Sequence, residues 1–240
     1  MKKSAFGTAI LLAAGLTMAS VPAATAAQSP APKVAVSDVN QSLEQAREFL
    51  TLYKVTAETQ ERLVAKYQRG ETWDSLNGAT PVDTQTVEKT GKTETVSRFA
   101  DGSVNVTSIQ KPAAAPQEGE ITTRGISECG YYRVGATENY DNCLVDFWAG
   151  LVYMGFRADY SAVDNNVDYI RSIYSPDYII GGASSAEQTE FAVTREYETP
   201  GAPATARLTV LAYPAGTPFA FNFWVQLNVG FGGAYMTYSS

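Results

Sequence analysis

Two segments near the front of the chain carry apolar residues at helical spacing. From Asp38 to Tyr53, the residues Val39, Leu43, Ala46, Phe49 and Leu50 recur every three or four positions, and Ser37 or Asp38 can serve as N-cap. A second helix is predicted from Ala57 to Gln68, with Thr56 as N-cap, Leu63, Val64 and Tyr67 as its apolar stripe, and Gly70 as its stop. Only Tyr53-Lys54-Val55 connects them, so the two should pack as a hairpin.

From Asp83 the period changes to two. Thr84–Thr90, Thr93–Phe99 and Ser103–Gln110 are rich in Thr and Val and are separated by Gly91-Lys92 and Asp101-Gly102. Asp-Gly between alternating runs signals a hairpin, and the segment reads as a three-stranded meander with the helices on one face. Further on, Phe219, Phe221, Phe223, Val225, Leu227 and Val229 alternate with more polar partners. So do Val152, Met154, Phe156, Ala158 and Tyr160, then Phe191, Val193 and Tyr197, and Leu208, Val210 and Ala212. Turn clusters at Gly181-Gly182, Pro200-Gly201, Pro214-Ala215-Gly216 and Gly232-Gly233 divide these runs. The expected fold class is mainly β with a small α+β module. The helical hairpin and meander occupy residues 38–110, a Pro- and Ala-rich linker 111–120, and an antiparallel β-sandwich or partly closed barrel 121–240.

The first residues change the setting of this layout. Lys2 and Lys3 precede an uncharged apolar run from Ala5 to Val21, followed by Pro22 and the small residues Ala24-Thr25-Ala26. That order predicts a signal peptide over residues 1–26, with a flexible leader over 27–37. No cysteine lies near the cleavage site to carry a lipid, and no other stretch reaches the ~20 apolar residues of a membrane span. The expected product is secreted, extracellular and soluble. Its net charge of −7 falls to −9 once Lys2 and Lys3 are removed, and no basic patch is present, so nucleic acid is excluded as a partner. In an oxidising compartment Cys129 and Cys143 should form a disulfide. A redox or nucleophilic role fits poorly, because the spacing is not C-x-x-C and the chain has no histidine to act as base.

The runs Val55-Thr56-Ala57-Glu58-Thr59-Gln60-Glu61-Arg62-Leu63, Gly70-Glu71-Thr72-Trp73-Asp74-Ser75, Phe99-Ala100-Asp101-Gly102-Ser103 and Gly155-Phe156-Arg157-Ala158-Asp159-Tyr160, taken with the cysteine pair, resemble an uncharacterised group of secreted actinobacterial proteins. The resemblance covers most of the mature chain and implies kinship and export, but no activity, ligand or catalytic residue.

The absence of histidine excludes Ser-His-Asp and Cys-His catalysis and His-ligated zinc, and no phosphate-cradling glycine motif occurs. Asp164, Asn166 and Asp168 form D-x-N-x-D, which could hold Ca²⁺ as the one candidate cofactor; Tyr169 stands where an EF-hand has glycine and Ser175 where it has glutamate, and the simpler reading is a polar turn. Asp141, Asp146, Asp159, Glu196 and Glu198 could supply a carboxylate pair for hydrolysis. Twelve of the fourteen tyrosines lie beyond residue 121. Tyr131, Tyr132, Trp148, Tyr153, Tyr169 and Tyr174 are the candidate binding residues, since a flat ring with a polar tip suits a glycan or protein surface; the alternative is plain strand propensity. Trp73 is read as an apolar cover over the end of the second helix. The expected function is non-enzymatic binding of an extracellular glycan or protein. The alternatives are a hydrolase working with paired carboxylates and a membrane-active protein released by cleavage of the linker.

Overall fold

The structure, a computed structural model, describes residues 34–35, 39–112, 128–214 and 220–239. The signal-peptide expectation, all of the leader but Val34–Ala35, the proposed N-caps Ser37 and Asp38, most of the linker, and Phe219 lie outside the described residues. Val34–Ala35, expected in a flexible leader, instead form a short strand paired parallel with Tyr178 and Ile179. No helix among the described residues is long and apolar enough to cross a membrane.

The chain forms a mixed, mostly β fold with two helices and two separate sheets; the described strands close no barrel. The elements run β1 (Val34–Ala35), α1 (Val39–Leu52), α2 (Ala57–Gln68), β2 (Asp83–Lys89), β3 (Lys92–Arg98), β4 (Val104–Gln110), β5 (Gly130–Val134) and β6 (Thr137–Trp148). They continue with β7 (Val152–Val163), β8 (Tyr169–Ile180), β9 (Ala183–Arg195), β10 (Ala204–Pro214), β11 (Phe221–Gly230) and β12 (Gly233–Tyr238).

The helices form where the stripes predicted them. Leu43, Ala46, Phe49 and Leu50 are the buried apolar face of α1. Thr56 caps α2, its hydroxyl oxygen accepting the Thr59 N–H at 3.3 Å. Gln60 staples the hairpin by donating to Thr51 Oγ1 and to the Val55 carbonyl, both at 3.0 Å. Trp73 is buried, and its indole N–H donates to the Leu63 carbonyl at 2.7 Å, so the ring seals α2 against the core. Beside it Lys66 bridges Asp74 and Asp101, each at 2.8 Å. Gly102 (φ 88°) must be glycine: a Cβ there would lie 2.3 Å from Thr59 Cγ2.

The strand layout departs from the two-module expectation. The meander does not form its own sheet. β4 pairs antiparallel with β6 from Val106↔Trp148 to Ile109↔Val145, so strands on both sides of residues 113–127 share one eight-stranded sheet, ordered β1-β8-β7-β6-β4-β3-β2. β6 is long enough, at 12 residues, for its one edge to take two partners end to end: β5 along Thr137–Asp141 and β4 along Val145–Trp148. The second sheet is the antiparallel ladder β12-β11-β10-β9.

Strand alternation then sets the layers. On β7, Val152, Met154, Phe156, Ala158 and Tyr160 point into the core against the four-stranded sheet, where Phe156 meets Phe191 with ring centroids 5.7 Å apart. Phe147 meets Tyr238 at 4.8 Å across the same interface, and Asn105 donates to the Tyr238 hydroxyl at 2.9 Å. The opposite face of the large sheet carries the helices, with Phe49 of α1 against Trp148 at 4.7 Å. The expected disulfide is present: buried Cys129 and Cys143 tie the approach to β5 onto β6. Closing a loop of this length stabilises the fold by roughly 3 kcal/mol in the chain-entropy picture.

Candidate functional site

The residues of β7 that do not enter the core are Tyr153, Gly155, Arg157, Asp159 and Ser161, and register assigns their neighbours on the helix-side face. Trp148 lies opposite Tyr153; Asp146 and Asp177 flank Gly155; Leu144 and Tyr174 flank Arg157; Ser172 lies opposite Asp159. At the far end Asn139 and Tyr169 flank Ser161, and Tyr132 pairs with Asn139. Five of the six aromatic residues singled out from the sequence, Tyr132, Trp148, Tyr153, Tyr169 and Tyr174, therefore share one face. Tyr131 is the exception. It is one residue out of phase and turns to the other side, where its ring meets Tyr140 at 5.4 Å and its hydroxyl donates to Glu138 Oε1 at 3.1 Å. Counting tyrosines ignored this parity.

The helices contact the Trp148 end of the face, where Phe49 meets Trp148. Beyond them, a bulge in β6 between Tyr140 and Cys143 puts Asn142 at φ 59° and aims its backbone N–H at Asp159 Oδ1, 2.7 Å away. The same carboxylate accepts from Tyr174 Oη at 3.0 Å and from Ser172 Oγ at 2.7 Å, while Arg157 donates to the Asn142 carbonyl at 2.8 Å. Burial, then the bond to Asp159, pushes the Tyr174 phenol up to about 12. The network holds a ring, a carboxylate and a guanidinium in fixed positions on the sheet.

At the helix end the face runs into a pocket of about 310 Å³ walled by Leu52, the last residue of α1, and the Tyr53 that follows it, and floored by the sheet. Glu94, Ser108, Asp146 and Gly155 form one cross-strand row along that floor. Glu94 is 1% exposed and ion-paired through both oxygens, to Lys92 and to Lys89, whose side chains are 43% exposed at the mouth. Tyr53 Oη donates to it at 3.4 Å. Burial alone would raise this carboxyl; the hydrogen bonds and charges of the two lysines outweigh it and hold Glu94 below the usual carboxylate range. Asp146 goes the other way. Burial pushes its carboxyl up, with Glu94 adding to the effect, against Lys92 and the Ser108 hydroxyl, which donates at 2.7 Å. Gly155 makes room: a Cβ there would lie 2.9 Å from Tyr153 Oη and 3.2 Å from Asp146 Cβ.

Glu94, Lys89, Lys92, Ser108 and Tyr53 are not among the site residues expected from the sequence, which reads their strands as a Thr- and Val-rich meander under the helices. A signal was present: Glu94 is in phase with Val96, so it lies on the buried side of β3.

The other candidates are dispersed. Asp164, Asn166 and Asp168 lie at the β7–β8 turn, but their oxygens serve different neighbours. Asp164 pairs with Arg133, Asn166 Oδ1 accepts the Val167 N–H at 2.8 Å, and Asp168 Oδ1 accepts the Val163 N–H at 2.7 Å. Among the described residues no three His, Cys, Asp or Glu side chains are grouped to hold a metal ion. Of the five acids considered for hydrolysis, Asp141 pairs with Arg171, Asp159 belongs to the network above, Glu196 bonds Tyr197, and Glu198 accepts from Asp168 N and Phe231 N; Asp146 lines the 310 Å³ pocket. Its carboxylate neighbour there, Glu94, has both oxygens occupied by lysines. A larger, mainly apolar cavity of about 690 Å³ opens among Tyr67, Trp73, Ile180 and Phe223.

No protein-family model matches the sequence, and no curated protein is similar to it. Among solved structures, the hypothetical protein lmo2686 from Listeria monocytogenes EGD-e is similar over 62% of this chain and 94% of its own, at 14% identity and a TM-score of 0.30. A likeness of that extent establishes neither a shared fold nor a shared function.

Proposed function

We propose that this is an exported, non-enzymatic binding protein that recognises a glycan with the helix-side face of its large sheet. One observation carries the reading: five aromatic residues share that face with Arg157, Asp159 and Ser172 between them. Aromatic rings present flat apolar surface to the C–H face of a sugar, and fixed planar polar groups bond its hydroxyls. From Tyr153 to Asp159 the face extends ~20 Å at the usual rise per strand residue, enough for a few units of a polymer. The signal-peptide pattern and the likeness to secreted actinobacterial proteins support export, and the net charge of −7 disfavours polyanionic polymers.

The test is titration of the purified protein with neutral oligosaccharides and with isolated cell-wall polysaccharide, followed by Tyr174→Ala and Tyr132→Ala. Saturable binding that weakens at least ~10-fold in either variant is expected, in line with the loss of an aromatic anchor. Absence of binding to every glycan, or binding to a protein partner unaffected by these changes, overturns it.

A further inference from the structure

The apolar cavity of about 690 Å³ takes its walls from both sheets and from the end of α2. Val152 and Ile180 come from β7 and β8 of the large sheet, Ala212 and Phe223 from β10 and β11 of the small one. Tyr67 of α2 and the Trp73 that follows close the helix side. Stacked sheets lie about 10 Å apart, a gap that opposed side chains normally fill. Here the buried Ala183 and Ala212 each contribute only a methyl group, so the gap stays open.

One polar group stands in this apolar setting without a protein partner. The half-buried Tyr67 hydroxyl forms no hydrogen bond with any described residue. The turn between β8 and β9 is shaped around it: at Gly182, φ 74°, a Cβ would lie 1.5 Å from Tyr67 Oη. At Gly181 a Cβ would lie 2.9 Å from Ser42 Cβ on α1. The glycine pair thus lets the turn pass close under both helices and spares the hydroxyl its space. A lone donor among apolar walls is the arrangement that the acceptor of a bound molecule would satisfy. Among the described residues of the lining, Glu71 is the one ionised side chain, and it is paired with Arg69 at 2.6 Å.

We infer that this cavity binds a neutral, single-chain amphiphile, its hydrocarbon chain between the sheets and its hydroxyl or carbonyl oxygen accepting from Tyr67. The size is in the middle of the range for ligand sites, roughly 300–1,000 Å³. A gap between two stacked sheets admits one layer of chain. An anionic head would find no lysine or arginine in the lining, and would meet the field of a protein of net charge −7. The site is independent of the glycan face, since none of the five aromatic residues of that face lines it.

The experiment is calorimetric titration of the full protein with straight-chain primary alcohols from hexanol to decanol. Affinity should rise about fourfold with each added methylene until the cavity is full. Decanoate at pH 8 should bind at least about tenfold more weakly than decanol, because its charge has no partner there. Tyr67→Phe should weaken decanol about fivefold, the worth of one neutral hydrogen bond. Ala212→Phe fills the cavity and should abolish binding while unfolding no earlier than the parent in urea; Ala183→Leu is the second filling variant. Vesicles of phosphatidylcholine, whose paired chains exceed the cavity, should not compete. Affinity independent of chain length, decanoate bound as well as decanol, or unchanged affinity in Tyr67→Phe overturns the assignment. So does decanol binding that survives in a folded filling variant, or binding to vesicles in place of decanol. Oligosaccharide binding should be unaffected by all three variants, so the failure of either site leaves the other standing.

Discussion

The two sheets each turn one face away from their shared core, and the two faces handle polar residues differently. On the four-stranded sheet the outer side chains satisfy one another along the ladder. Thr194 shares a hydrogen bond with Thr205 at 2.8 Å, Thr209 donates to Glu190 at 3.0 Å, Arg207 bonds Gln226 at 2.6 Å and stacks over Trp224, and Asn228 donates to Thr237 at 3.0 Å. On the eight-stranded sheet the corresponding face is partly roofed by α1, so acids that alternation alone would leave in water become buried, and their ionisation separates. The lesson is that strand periodicity states which residues leave the core but not what covers them afterwards. Where α1 arrives, Glu94 and Asp146 acquire an environment unlike water and their carboxyls shift in opposite directions.

Three substitutions would break or sharpen this contrast. The largest effect is expected from Phe49→Ala, which removes the fully buried ring that seats α1 on Trp148; a loss of about 3–5 kcal/mol is the usual scale for such a truncation, read by urea denaturation. A loss under about 1 kcal/mol would mean that the helix does not hold the roof.

Asp146→Asn should have a smaller effect that depends on pH. The folded-state pKa of Asp146 is raised, so between its unfolded and folded values the native state binds more protons than the unfolded one. Stability conferred by the neutral acid is thus lost as pH rises through that window. The asparagine variant should match the parent at pH 4 and melt at a higher temperature at pH 8. A variant less stable than the parent at pH 8 would refute the burial argument.

The smallest effect is expected on the other face. Thr194→Val removes a hydroxyl that bonds the carbonyl and hydroxyl of Thr205 and substitutes a residue well suited to strands, so thermal unfolding should shift by no more than about 0.5 kcal/mol.

Much of this architecture was legible in the sequence because it is local. The apolar stripes of both helices, the Asp101-Gly102 turn and the alternation of β7 each depend on neighbours within a few residues. The joining of β4 to β6 does not. Ile109 and Val145 pair across 36 positions, and nothing in either strand encodes that choice, so the meander reads as a separate module until the sheet is seen whole. The aromatic face was half legible for the same reason: alternation groups Tyr153 with Gly155 and Arg157, but the bulge at Asn142 decides which β6 residues join them. The acidic pocket was least legible, since Glu94 and Asp146 become a pair only after three strands are aligned and a helix is laid over them.

The shared edge of β6 has one last consequence. The hydrogen bonds of β4 and β5 compete for no position on it, so the early and late parts of the chain each contribute a piece that the other cannot supply. Residues 39–112 bring the roof and three strands; residues 128–239 bring the strand they dock on and the opposing layer. A backbone broken between Pro112 and Glu128 would leave two polypeptides but a single core. In effect the molecule is a covalently tethered heterodimer, and its continuity is a matter of effective concentration as much as of connection.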